Sequence, residues 1–188
     1  MGPNACKSRD VTNSARLMNT ENLKTCDILL YKGTGFTSWV IEVGTKSLYS
    51  HVAIVVDPAI SLGIESNTGH QSGVRALDLR NLDEREIDVF RVKPEFPYNP
   101  SQVISYLVAH LGADYDTWGV IGLGILKLFQ FKNQSNQFQK DKDYFCSELC
   151  YEAFKTGGLD IVPQVSEADV TSPGDISRST LLNKISEK

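Results

Sequence analysis

The chain has 188 residues, 41% of them apolar and 22% charged, a length and composition that suit one globular domain able to bury its own core. Lysine and arginine total 19 and the acids 23, so the net charge of −4 excludes a bulk electrostatic grip on nucleic acid. No apolar run approaches the roughly 18 residues of a membrane-spanning helix. Cys6, Cys26, Cys146 and Cys150 form neither a disulfide framework nor paired Cys-x-x-Cys zinc knuckles. Reduced thiols favour a cytoplasmic setting. The first 22 residues lack the apolar stretch of a signal peptide, although a signal already removed would make the protein secreted or periplasmic. Met1-Gly2 opens like a myristoylation motif, but Cys6 stands where that motif needs Ser or Thr.

Residues 1–21 are polar and aperiodic and read as a flexible arm, with order expected from about Leu23. Asp27 to Tyr31 is a short apolar strand ended by the turn residues Lys32 to Gly35. Trp39, Val40 and Val43 recur at helical spacing within Phe36 to Lys46. His51 to Val56 is a β-branched strand stopped by Asp57-Pro58, and Leu62 to Ser66 reads as its hairpin partner. Gly73 to Leu79 and Glu86 to Val92 are further strands, which together suggest an antiparallel meander. The period then changes. Pro100-Ser101 opens a helix with Val103, Ile104, Leu107 and Leu111 on one stripe, ended at Gly112.

Trp118 to Phe131 is apolar nearly all round and reads as a buried helix, with an interfacial role as the alternative. Residues 131–143 are polar and low in complexity, a loop; its Asn133-Gln134-Ser135 matches the glycosylation sequon by chance in a chain without a signal. Tyr144 to Lys155 is a helix stopped by Gly157-Gly158. Ser172-Pro173-Gly174-Asp175 has the cap, proline and first-turn acid of a helix start. The expected domain therefore runs over residues 22–188.

The sharpest chemical feature is Tyr144-Phe145-Cys146-Ser147-Glu148-Leu149. A thiol in the first turn of a helix lies at the positive end of the helix dipole, which favours the nucleophilic thiolate. The bland alternative is a buried structural cysteine. Cys150, one turn on, belongs to the core. A nucleophilic cysteine needs a base. His110 lies in the apolar-striped helix and His70 in a Gly/Asn/Ser-rich turn. His51 opens a strand, where a side chain is held rigidly at the rim of a sheet. A hairpin between residues 51–56 and 62–66 brings Glu65 level with His51 as the group that orients the ring; Asn67 takes that place if the register differs by two.

These blocks, in their order, resemble the circularly permuted papain-like cysteine amidases, the YiiX-like branch of the NlpC-type superfamily. The resemblance rests on Asp27 to Leu30, Ser50 to Val55, Glu65, Tyr144 to Leu149 and Ser172 to Asp175, with histidine preceding cysteine as in the permuted order. It covers roughly residues 22–180. It implies an α+β fold, a small barrel-like antiparallel sheet packed on the cysteine-bearing helix. It also implies Cys146 as nucleophile, His51 as base and Glu65 as orienting acid, with no metal or cofactor. The implied reaction is hydrolysis of an amide bond in a cell-wall-type or other small peptide. Cys26 departs from the pattern, since relatives usually carry Gly before the aspartate of the first strand. Tyr115 and Trp118 either line the substrate cleft or pack on the sheet.

A lipid-directed thiol hydrolase or acyltransferase is the alternative enzyme, with Trp118 to Phe131 facing an acyl chain. A binding module that kept the fold, and a zinc protein using His51, Glu65 and Cys146, are the remaining readings.

Overall fold

The computed structural model describes residues 17–32, 47–67, 73–113, 144–163 and 171–185. The expected helix at 36–46, the apolar stretch 118–131, the loop 131–143 with its sequon, and His70, Tyr115 and Trp118 lie outside them.

Among the described residues, six antiparallel strands form one sheet in the order β4-β3-β2-β1-β5-β6: β1 (Ile28–Lys32), β2 (Tyr49–Asp57), β3 (Leu62–Asn67), β4 (Gly73–Asp78), β5 (Ile87–Val92) and β6 (Leu182–Ile185). The first four strands are a meander. The chain then passes through two short 3₁₀ turns, Leu79–Asn81 and Glu84–Glu86, each capped by an aspartate side chain (Asp78 and Asp83), and adds β5 on the far side of β1. The sheet is open, with β4 and β6 as edges, and is not the barrel-like closure expected from the sequence.

Alternation along the strands divides the sheet into two faces. Ile28, Leu30, Val52, Ile54, Ile64, Phe90 and Val92 face the helices of the described residues: α1 (Pro100–Ala109), α2 (Tyr144–Thr156) and α3 (Pro173–Ser177). Helix α1 contributes Val103 and Leu107, and α2 contributes Leu149, Cys150, Ala153 and Phe154. Asn99 caps α1, whose helical residues stop at Ala109. Leu111 therefore falls outside the helix and is 40% exposed, against its expected place on the apolar stripe.

Leu29, Ala53, Val55, Leu79 and Ile87 make a smaller core on the other face, with Met18 and Leu23 packed onto it. The chain is anchored ahead of Leu23: Met18 N–H donates to the Leu82 carbonyl and Leu17 bridges Asp83. Cys26, the residue that departs from the family pattern, has φ of 67°, in the left-handed region that favours glycine. Its neighbour Asp27 is fully buried and receives two charge-assisted bonds from Arg91, both 2.6 Å. That ion pair ties the start of β1 to β5.

Candidate active site

The base and its partner come from two adjacent strands. His51 lies near the start of β2, paired with Tyr31 of β1. Glu65 lies in β3 opposite Ala53, so Glu65 is not level with His51 as the hairpin reading expected; continuing the register puts Asn67 there. The contact survives the offset. His51 and Ala53 share a face, and Glu65 is the diagonal neighbour of His51, a separation that long side chains can span. His51 Nε2 lies 2.8 Å from Glu65 Oε2, which accepts its proton. The small Ala53 leaves the space between them open. Asn67 Nδ2 lies 3.5 Å from the other oxygen, Glu65 Oε1.

Arg75, which the sequence reading did not single out, completes this group. It sits directly opposite Glu65 in β4, and its Nε and Nη2 approach Glu65 Oε1 at 2.8 and 2.7 Å. The carboxylate is 4% exposed and spans the imidazole and the guanidinium. Burial alone would raise its pKa. His51 and Arg75 outweigh burial and hold it at about 2 against an ordinary 4.5. Tyr31 packs the edge of its ring against His51, with centroids 5.0 Å apart, and restricts rotation of the imidazole. The Tyr31 hydroxyl is buried and has no hydrogen-bond partner among the described residues.

Cys146 is the third residue of α2, in its first turn and so at the positive end of the helix dipole. The amides of a first helical turn have no carbonyl within the helix to donate to. The helix lies on the Val52/Ile54/Ile64 face, and the His51 side chain, near the start of β2, is within hydrogen-bonding reach of Cys146. With Nε2 engaged by Glu65, Nδ1 is the ring nitrogen left for the sulfur. Burial disfavours a charged imidazole, but hydrogen bonding and charge from Cys146, together with Glu65, outweigh it and raise the His51 pKa to about 10. These contacts favour the imidazolium form of His51 beside an ionised Glu65. Cys146 is 3% exposed and the His51 side chain 24%, so the pair is approached from the histidine side.

Cys150 is fully enclosed and its thiol is pushed well up by burial, which fits a core residue. His110 caps α1 and sends Nδ1–H to the Tyr106 carbonyl at 2.7 Å, a local role away from the pair. A surface cavity of about 410 Å³ lies beside Val56, Pro100 and Ile104, at the opposite end of β2 from His51, and does not include the pair.

An α+β protein with an open antiparallel sheet and a cysteine in the first turn of a packed helix is the class that these features define. Among solved structures it is similar to the metalloprotein YiiX of Escherichia coli O157:H7, with a TM-score of 0.56 over 88% of this chain and 97% of that one. Identity is 17%, so the likeness is one of fold. No family model matches the sequence, and no curated protein is significantly similar to it. A metal is named for YiiX; the described residues of this chain do not fit one. No three His, Cys, Asp or Glu side chains are gathered as ligands among them, and the Arg75 cation already occupies Glu65.

Proposed function

We propose that this protein is a cysteine hydrolase that cleaves an amide bond of a small peptide, of the kind handled by the permuted papain-like amidases. The observation that carries the reading is the buried chain of contacts from Cys146 through His51 to Glu65. A nucleophile, a base and an orienting acid in series are the minimum that thiol acyl transfer requires.

In this mechanism Cys146 rests as thiolate with His51 as imidazolium. The sulfur attacks the carbonyl carbon, and the oxyanion develops beside the positive end of α2. The C–N bond breaks as His51 gives its proton to the leaving amine, which leaves a thioester on Cys146. His51 then takes a proton from water, whose oxygen attacks the thioester. The carboxylic acid departs, and the proton returns the pair to its resting form. Glu65 keeps its charge throughout, holds the ring orientation and stabilises the imidazolium. Cleavage of a peptide amide rather than a lipid ester is part of the proposal.

The test is the iodoacetamide alkylation rate of Cys146 against pH, followed by peptide mass spectrometry, in wild type and His51→Ala. The expected profile stays high well below the free-thiol pKa of about 8.5 and collapses in the variant. A wild-type profile that titrates like an ordinary thiol would refute the assignment. Paired amide and ester substrates then separate the peptidase from the lipid-directed enzyme.

A further inference from the structure

The Cys146–His51 pair is assembled from two elements remote in sequence, and something must fix the distance between them. The residue after the nucleophile, Ser147, is fully buried and donates its hydroxyl to the Thr171 carbonyl. Four residues before the base, Ser47 is also buried, and its Oγ accepts from the Tyr49 amide at the start of β2. Between these points lies the turn that opens α3. It is locked by a reciprocal cap: Ser172 Oγ accepts from Asp175 N, and the Asp175 carboxylate accepts from Ser172 N at 3.0 Å. Arg178 braces the same carboxylate at 2.7 Å. Gly174 faces Ser47 so closely that a Cβ on it would stand 2.5 Å from Ser47 Cβ and 2.7 Å from its Oγ.

We propose that the turn at residues 171–175 is the spacer that sets the Cys146–His51 distance, with Ser147 and Gly174 as positioning residues. The inference rests on the hydrolase reading above. One side of the turn grips the nucleophile's helix through Ser147; the other seats the lead-in to the base's strand against Gly174. The cap makes the turn rigid, so displacement on either side is passed to the pair instead of being absorbed. Gly174 is required here for close approach, because any side chain would push Ser47, and β2 with it, away from α2.

The experiment measures iodoacetamide alkylation of Cys146 at pH 6 in the full-length protein, with Cys6 of the same molecule as the reference thiol and thermal unfolding as the check on folding. Gly174→Ala should fold and lose about tenfold or more of the Cys146 rate, since misplacement by an ångström costs that much in positioned chemistry. Its pH profile should move toward that of a free thiol. Adding Ser47→Gly removes the two nearest atoms, leaves the new Cβ only the flexible end of Arg178 at 3.2 Å, and should restore the rate. Ser147→Ala removes the hydroxyl that donates to the Thr171 carbonyl without adding bulk, so it covers the case in which Gly174→Ala does not fold; it too should slow Cys146 and leave Cys6 unchanged. A folded Gly174→Ala with the wild-type profile, a loss that Ser47→Gly does not repair, or a Ser147→Ala with unchanged Cys146 would overturn the proposal. These failures are distinct from failure of the hydrolase reading, which would show as an ordinary thiol profile in the wild type itself.

Discussion

Arg75→Met should destabilise the protein at neutral pH and do so less in acid. The substitution keeps an unbranched apolar stem and removes both contacts to Glu65 Oε1. Lowering of the Glu65 pKa from 4.5 to about 2 corresponds to about 3 kcal/mol at about 1.36 kcal/mol per pH unit. That stabilisation is divided between His51 and Arg75. The Arg75 side chain is 38% exposed, so solvent screens its half and leaves about 1 kcal/mol. The sign follows from linkage. A carboxyl with a depressed folded pKa contributes stability that is full above 4.5 and is lost as pH falls toward 2. Without Arg75 the folded pKa moves back toward 4.5, so less remains to be lost in acid. Urea unfolding followed by circular dichroism at pH 7 and pH 3 measures both ends. The expected cost is about 1 kcal/mol at pH 7 and a smaller one at pH 3. An equal cost at the two pH values would refute the reasoning, because it would mean that Arg75 stabilises through packing and not through the Glu65 charge.

Cys146→Ala should abolish turnover while costing no more than about 1 kcal/mol in urea unfolding, since one sulfur is removed at a helix start; a variant that unfolds or keeps full turnover would be inconsistent with a nucleophile. Asp27→Ala should cost about 3 kcal/mol, because it leaves Arg91 without the fully buried carboxylate that pairs β1 with β5, and the urea midpoint reports it. Phe154→Ala empties the centre of the helical face of the sheet, where the ring is fully buried beside Tyr98, and should cost about 3–5 kcal/mol by the same assay.

Strong local signals in the sequence correspond to the elements found. The β-branched run after His51, the alternation of residues 73–78 and the Ser172-Pro173-Gly174-Asp175 start all appear where their residue types require them. Strand β6 was not anticipated. Leu182-Asn183-Lys184-Ile185 is short, carries two polar side chains and occupies an edge, so its strand character comes from pairing with β5 and not from its own composition. The placement of β5 beside β1 was equally hidden, since an apolar alternation states that a strand is half-buried but not which strand it joins. Arg75 was missed for a related reason. Taken alone it is an exposed polar residue on an alternating strand. Its meaning depends on the register set by Asn67 opposite Gly73, which carries Arg75 to the position facing Glu65.

Register also explains why the acid is a glutamate, and this gives a last test. An irregularity between Val55 and Asp57 shifts the β2–β3 pairing, so the acid stands opposite Ala53 and must reach diagonally to His51. Glutamate spans that offset at 2.8 Å. Aspartate at the same position keeps the charge but shortens the side chain by more than about 1 Å, which takes the pair beyond hydrogen-bonding distance. Glu65→Asp should therefore lose about tenfold or more of the Cys146 alkylation rate at pH 6, much as Glu65→Gln does by removing the charge. Unfolding in urea checks that both variants remain folded. If Glu65→Asp matched the wild type, the carboxylate would be acting on His51 as a charge at a distance, and the direct bond between them would have no part in setting the reactivity of Cys146.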